Sequence, residues 1–269
     1  MDQSPQWRNW HTAGMLAILA ALVALGFLIP IRRILLLWLL ILALLIFFTN
    51  IAAHGITGRF WLGWLVNEQY RMSLSRLQMF LWTLVVLSGF LSAALLNLRR
   101  GEFDTAVAIG LPEELWIAIG VSTTSLVASP LILQGKKAKQ TNPLELKRSL
   151  GLAAGAKLTA EDEATAVGQL DRNTGPDQAR LYDLIRGEEI GNRNVLDLTR
   201  LQNLFFTLIL IGSYAGTFGS KLVAVAGSLT PQSFAQFPEL GASNLALLSI
   251  SHAGYLAAKA VDKQPADDR

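Results

Sequence analysis

The chain has 269 residues, 52% of them hydrophobic and 16% charged, against about 25% charged in soluble domains. Cysteine is absent, which excludes disulfides, thiolate metal sites and cysteine nucleophiles. The net charge of +3 is too mild to indicate nucleic-acid binding, and His11, His54 and His252 lie far apart in sequence, against a zinc or haem site.

The apolar residues fall in blocks, and six membrane spans are predicted: residues 12–29, 34–53, 77–97, 115–133, 201–226 and 243–260. Residues 34–53 form a run of 20 without a charge, enough to cross a hydrocarbon core of about 30 Å. Pro30 ends the first span. That span does not read as a signal peptide, because residues 1–11 are nearly neutral and Pro30-Ile31-Arg32-Arg33 is not a small-residue cleavage site. The sixth span is the most polar, with Ser249, Ser251, His252 and Lys259; the lysine can snorkel to the interface. Residues 56–72 are too short to span and carry Arg59, while Trp61 and Trp64 suit the interface, so an amphipathic surface-lying helix is expected there. Trp7 and Trp10 suggest a similar anchor.

Six spans put both termini and the second and fourth loops on one side. Those segments hold most of the 23 Lys and Arg, leaving Arg32, Arg33, Arg99, Arg100 and Lys221 on the other side. The positive-inside rule then places both termini in the cytoplasm. Lys136, Lys137 and Lys139 form the stop-transfer cluster expected after the fourth span, within reach of anionic headgroups.

Residues 76–84, Arg-Leu-Gln-Met-Phe-Leu-Trp-Thr-Leu, recur as residues 200–208, Arg-Leu-Gln-Asn-Leu-Phe-Phe-Thr-Leu. The shared Arg, Gln and Thr are polar and in register, which argues for duplication over chance likeness of apolar helices. At the same offset Ser88 and Ser92 match Gly212 and Gly216, a small-x-x-x-small spacing that favours close helix packing in lipid. Each copy supplies two spans that start and end inside, so the two-helix repeats, residues 73–134 and 200–263, are parallel. They follow an N-terminal hairpin (1–55) and precede a short tail (264–269). The expected fold class is all-α, a polytopic helical membrane protein of about six transmembrane helices.

Arg76 and Arg200, at the inner end of each repeat, can meet phosphate headgroups or carbonyls, and Lys259 lies at the same level. Gln78 and Gln202 lie deeper and need partners. They either tie helix pairs together or line a ligand or ion site. Thr83 and Thr207 can bond their own helix backbone. Ser122, Thr123, Thr124 and Ser125 form a polar belt in the fourth span, with Ser251 and His252 at matching depth in the sixth. His252 is either a functional ionisable group or a neutral imidazole bonded to a serine or Tyr255. No Asp or Glu falls inside a span, against a carboxylate proton relay or a cation-coupled transporter.

Residues 135–199 form a polar insertion between the repeats. Asn142-Pro143-Leu144-Glu145 reads as a helix start that Gly151 can close. Residues 153–174 are rich in Ala, Thr and acids and are expected to be flexible. Residues 176–186 read as a helix with Leu181, Leu184 and Ile185 on one face and Gly187 as terminator. Glu188, Glu189 and Arg193 read as a solvated loop. The insertion carries few large apolar residues, so it is expected to pack on the inner membrane face or a partner.

The pieces Ser73-Leu74-Ser75-Arg76-Leu77-Gln78-Met79 with Trp82-Thr83, residues 115–130, and Ile250-Ser251-His252-Ala253-Gly254-Tyr255 with Lys259 resemble an uncharacterised family of bacterial multispan inner-membrane proteins. The resemblance covers residues 73–263 and implies a bacterial inner-membrane location. It carries over no catalytic residue.

No phosphate loop, nucleophile elbow, paired catalytic carboxylates or metal-ligand spacing is present in the sequence, and no cofactor is expected. The leading expectation is a non-enzymatic inner-membrane protein that anchors or signals to a soluble partner through its cytosolic segment, with the lipid bilayer and a protein partner or a homo-oligomer as its expected associates. The alternative is an oligomeric ion channel or small-solute pore lined by the Ser/Thr belt and His252. A lipid-active enzyme, with His252 as base, is a third reading.

Overall fold

A computed structural model describes residues 7–153, 155–228 and 232–263. The chain is mostly helical, and its long helices are α1 (Asn9–Leu28), α2 (Ile34–Thr57), α3 (Leu74–Arg99) and α4 (Glu113–Lys137). The insertion adds α5 (Pro143–Ser149), α6 (Ala160–Ala164) and a two-stranded hairpin of β1 (Ala166–Val167) and β2 (Leu170–Asp171). Then come α7 (Leu198–Ala226) and α8 (Ala242–Ala260). Among the described residues, α1, α2 with its preceding turn, α3, α4 and α7 are long and apolar enough to cross a membrane. The α8 helix forms as expected, but its serines, His252 and Lys259 keep it below that apolarity.

The chain divides into two compact units. The first comprises Met1–Trp64, Met79–Gly120 and Leu208–Ala246. Within it α1 and α2 form the predicted hairpin, broken at Pro30 by a turn of 3₁₀ helix, Ile31–Arg33. At the far end of that hairpin Nε2 of His11 lies 2.9 Å from Nδ1 of His54. Trp10 stacks on His11 with ring centroids 3.7 Å apart. These two histidines, distant in sequence, are therefore neighbours, although the described residues hold no cluster of three or more His, Cys, Asp or Glu able to grip a metal.

The expected surface helix at 56–72 is absent. The α2 helix runs to Thr57 and stops at Gly58 in the left-handed region. The following chain turns irregularly, with Leu62 also at positive φ and its N–H donating to the buried side chain of Asn50. The tryptophans differ: Trp61 is exposed, whereas Trp64 is half-buried on Phe80 with centroids 4.0 Å apart.

The small residues of the two repeats also differ. Ser88 and Ser92 are fully buried, and Ser88 accepts a hydrogen bond from Nε1 of Trp38 at 2.9 Å. Gly212 and Gly216 are exposed, and a Cβ on either meets nothing within 4 Å. The close packing expected at Gly212 and Gly216 is therefore absent, while Gly219, farther along the same stripe, is buried against Trp38. Thr83 bonds the sulfur of Met79, its own helix neighbour.

Arg99 and Arg100, which stood against the positive-inside pattern, have a local purpose. Arg99 donates to carbonyls of Gly26 and Ile29 at the end of α1, and Arg100 to those of Val225 and Ala226 at the end of α7. Those carbonyls lie at the C-terminal ends of their helices, where a cation complements the helix dipole. Asn97 closes the adjoining loops by accepting from the N–H of Phe234 at 2.7 Å and donating to carbonyls of Ala106 and Phe234. Phe218, Phe234 and Phe237 form the aromatic core above this knot.

The second unit comprises Leu65–Gln78, Val121–Thr207 and Leu247–Arg269, and it contains the insertion. The α5 helix forms as read: the Asn142 side chain accepts from the N–H groups of Leu144 and Glu145, and Gly151 ends the segment at positive φ. Of the segment 153–174, residues 155–174 are more structured than expected. Thr159 and Asp162 form a capping box for α6, and β1 pairs with β2 around Gly168. That hairpin seats on the end of α4: Gln169 donates its N–H to the carbonyl of Lys136, and a Cβ at Gly168 would strike the carbonyls of Lys136 and Lys137. Residues 176–186 are not one helix but two short 3₁₀ segments, Pro176–Gln178 and Leu181–Leu184, separated by extended Ala179 and Arg180. The Asp183 carboxylate caps the second segment by accepting from the N–H of Arg180, and it also accepts from the N–H of Met72.

Candidate functional site

The second unit holds a dense network of buried charge built from the insertion and the helix ends. Val66 and Met72 bridge across a tight turn in which the Asn67 side chain accepts from the N–H groups of Gln69 and Arg71. Tyr70 sits there at φ 54, a conformation that costs a non-glycine residue about 1–2 kcal/mol. The Asn173 side chain holds it by donating to the Tyr70 carbonyl at 2.6 Å.

The turn delivers Arg71, only 2% exposed, to the insertion. Its guanidinium lies 2.9 Å from Asp171 and donates to the Gly187 carbonyl at 2.6 Å. Asp171 also receives Arg186 at 3.1 Å and Arg193 at 3.2 Å. Burial pulls the Arg71 guanidinium down to about 10, against the opposing pull of Asp171.

A second cluster centres on Glu188. Arg200 and Lys259 each lie 2.7 Å from its carboxylate, and Arg200 also donates to carbonyls of Asp183 and Leu184. Burial alone would raise the Glu188 carboxyl, but Arg200, Lys259 and Arg71 outweigh it and hold the group well below the usual carboxylate range. Lys259 continues the network to the hydroxyl of Tyr255 at 3.0 Å, and that hydroxyl lies 3.2 Å from Ser75 and 3.4 Å from Ser129. A third pair, Lys136 with Glu189 at 2.6 Å, ties the end of α4 to the insertion.

These contacts correct the expectation that Glu188, Glu189 and Arg193 lie in a solvated loop. Glu189 is 4% exposed, and the side chains of Glu188 and Arg193 are 14% and 15% exposed. Of the two uses expected for Arg200 the carbonyl contact is found, to Asp183 and Leu184, and both it and Lys259 pair with Glu188 rather than standing free for a headgroup. The sequence held a signal for this: two cations at helix ends with a pair of glutamates a dozen residues before Arg200.

The remaining polar residues of the spans are largely engaged between helices. Gln78 is fully buried and donates to Thr207 at 2.8 Å, as one of its two expected uses requires, and Thr207 donates to the Asn203 carbonyl. Gln202 is exposed and makes no equivalent tie; the neighbouring Asn203 does so instead, accepting from Ser251 at 2.9 Å. Nδ1 of His252 lies 2.6 Å from the Ser125 hydroxyl, and both are buried. Ser122 is buried, Thr123 is half-buried and Thr124 is exposed. The belt is therefore split around the α4 surface rather than lining one face.

Beside the network lies a cavity of about 430 Å³, with Ser73, Arg76, Ser129, Lys137 and Lys259 among its walls. Arg76 is half-buried. Comparison with family models, curated proteins and solved structures finds no match to this chain. The family resemblance accordingly rests on the motifs alone.

Proposed function

We infer that the chain is a non-enzymatic bacterial inner-membrane protein, with both termini in the cytoplasm, that anchors or signals to a soluble partner through residues 135–199. The observation that carries this reading is the rigid attachment of that segment by Arg71–Asp171, Arg200–Glu188 and Lys136–Glu189. A loose tether needs no such network, whereas a docking platform gains from being preorganised. The platform also presents apolar side chains outward. Arg186 bridges to Leu196, and Arg186 lies over the Tyr182 ring at 4.9 Å, so Tyr182 and Leu196 share a neighbourhood while both are about half exposed. Leu181 is 60% exposed beside them. Exposed aromatic and aliphatic groups rimmed by arginine are typical of interface centres.

The pore reading is less well supported, because Ser75, Ser125, Ser129 and Ser251 are bonded to other helices rather than left to line a path. Pull-down of detergent-solubilised protein tests the inference. A soluble partner should be recovered with the wild type and lost with Leu181→Glu/Leu196→Glu, which leaves the charge network intact. Recovery of the same proteins by both would overturn the platform reading.

A further inference from the structure

The two copies of the Arg-Leu-Gln motif end differently. Arg200 is 3% exposed and spends its guanidinium on Glu188 and two carbonyls. Arg76, its counterpart in the first copy, forms no ion pair within 4 Å and no side-chain hydrogen bond among the described residues; Glu68 is the acid that acts on it from farther off. A half-buried guanidinium with unused donors is matched to a phosphate or carboxylate that comes from outside.

The cavity around Arg76 has two ends. The polar side includes Glu68, Ser73, Arg76, Lys137 and Lys259, the last already paired with Glu188. Among the described residues Lys137 is paired only with Glu68, at 3.5 Å, and both side chains are about half exposed or more, so that pair is weak and exchangeable. The apolar end is made by Leu126, Pro130 and Leu131 of α4. Leu131 is 64% exposed and Val127 57%, and α4 is a candidate span, so this end runs onto a surface that suits acyl chains. The volume falls within the range of about 300–1,000 Å³ usual for small-molecule sites. Arg76 is in the first turn of α3 and Lys137 the last residue of α4, the level at which a span meets headgroups.

We propose that this cavity binds an anionic phospholipid. Its phosphate sits on Arg76 with Lys137 as the second cation, and an acyl chain lies along Val127 and Leu131. The site is independent of the partner platform, so either reading stands if the other fails.

Binding of short-chain phosphatidylglycerol, phosphatidylcholine and inorganic phosphate to the purified full chain in detergent, followed by native mass spectrometry, tests this. Phosphatidylglycerol should bind in preference to phosphatidylcholine, and Arg76→Gln should weaken it roughly tenfold or more. Lys137→Gln should weaken it less, and Lys157→Gln, at an exposed position in the insertion, should have no effect. Inorganic phosphate should bind far more weakly than the lipid. Equal binding of the two lipids overturns the proposal, as does phosphatidylglycerol binding that survives Arg76→Gln. Tight binding of inorganic phosphate alone would assign the site to a soluble anion and overturn the lipid. Should Arg76→Gln not fold, Arg76→Lys keeps the charge but loses the fork, and unchanged preference for phosphatidylglycerol in both Arg76→Lys and Lys137→Gln would refute it.

Discussion

Replacing Glu188 with Gln removes the carboxylate that Arg200 and Lys259 share at 2.7 Å each while keeping the side-chain shape. Both cations are then left nearly buried, with side chains 4% and 6% exposed. Breaking a buried ion pair from one side costs about 3–5 kcal/mol. Gln still accepts a hydrogen bond, so the lower figure, about 3 kcal/mol, is expected. For a chain of this size that corresponds to a fall in melting temperature of roughly 6–12 °C. Thermal unfolding in detergent measures it, with Glu68→Gln as the control. Glu68 pairs with Lys137 at the surface, its side chain 73% exposed, and its loss should cost under about 1 kcal/mol. The pH dependence gives a second reading. The folded carboxyl titrates below its ordinary value of 4.5, so its stabilisation is complete above that pH and fades as pH falls below it. The gap between wild type and Glu188→Gln should stay constant from pH 8 to about pH 5 and close in acid. If Glu188→Gln and Glu68→Gln unfold together at neutral pH, the network does not hold the insertion and the platform argument fails.

Asp171→Asn should be more damaging still, by about 4 kcal/mol or more, because Arg71, Arg186 and Arg193 all converge on that carboxylate; a shift no larger than that of Glu68→Gln in the same thermal assay would contradict this. Gly168→Ala should cost about 2–4 kcal/mol, since it meets both positive-φ strain and the backbone carbonyls of Lys136 and Lys137, whereas Gly155→Ala, with open space around it, should be nearly silent in the same thermal assay. The absence of cysteine makes topology directly testable. An impermeant maleimide should label Lys157→Cys only in inside-out vesicles and exposed Phe103→Cys only in right-side-out ones, and labelling of both from one side would overturn the inferred orientation.

The α1 to α4 and α7 helices were legible because continuous apolar runs report a lipid-facing surface directly. Caps were legible for the same local reason, as at Asn142 and Gly151, whose chemistry acts over a few residues. The surface helix at 56–72 was misread because its composition suits an interface, while the actual path is set by Asn50 and Asn67 gripping the backbone. Residues 176–186 form two short 3₁₀ segments instead of the helix that Leu181 and Leu184 suggested, and Asp183 there bonds Met72 of another segment as well as Arg180 of its own. In the repeat, equal sequence did not mean equal environment. Gln78 is buried and bonded while Gln202 is exposed, and Ser88 is packed while Gly212 is not.

By itself the sequence determined that this is a helical membrane protein, where its long apolar segments lie and that it contains a matched pair of motifs, because hydropathy, caps and internal likeness are properties of neighbouring residues. Only the tertiary structure decided which charges are spent and which remain. Glu188 meets Lys259 across 71 positions of chain and Arg71 meets Asp171 across 100, so no local pattern announces either pair. Whether a cation is neutralised depends on what packs within about 4 Å of it, and that distance is fixed by the fold. It is this that separates Arg200, buried on its glutamate, from Arg76, whose guanidinium borders the cavity.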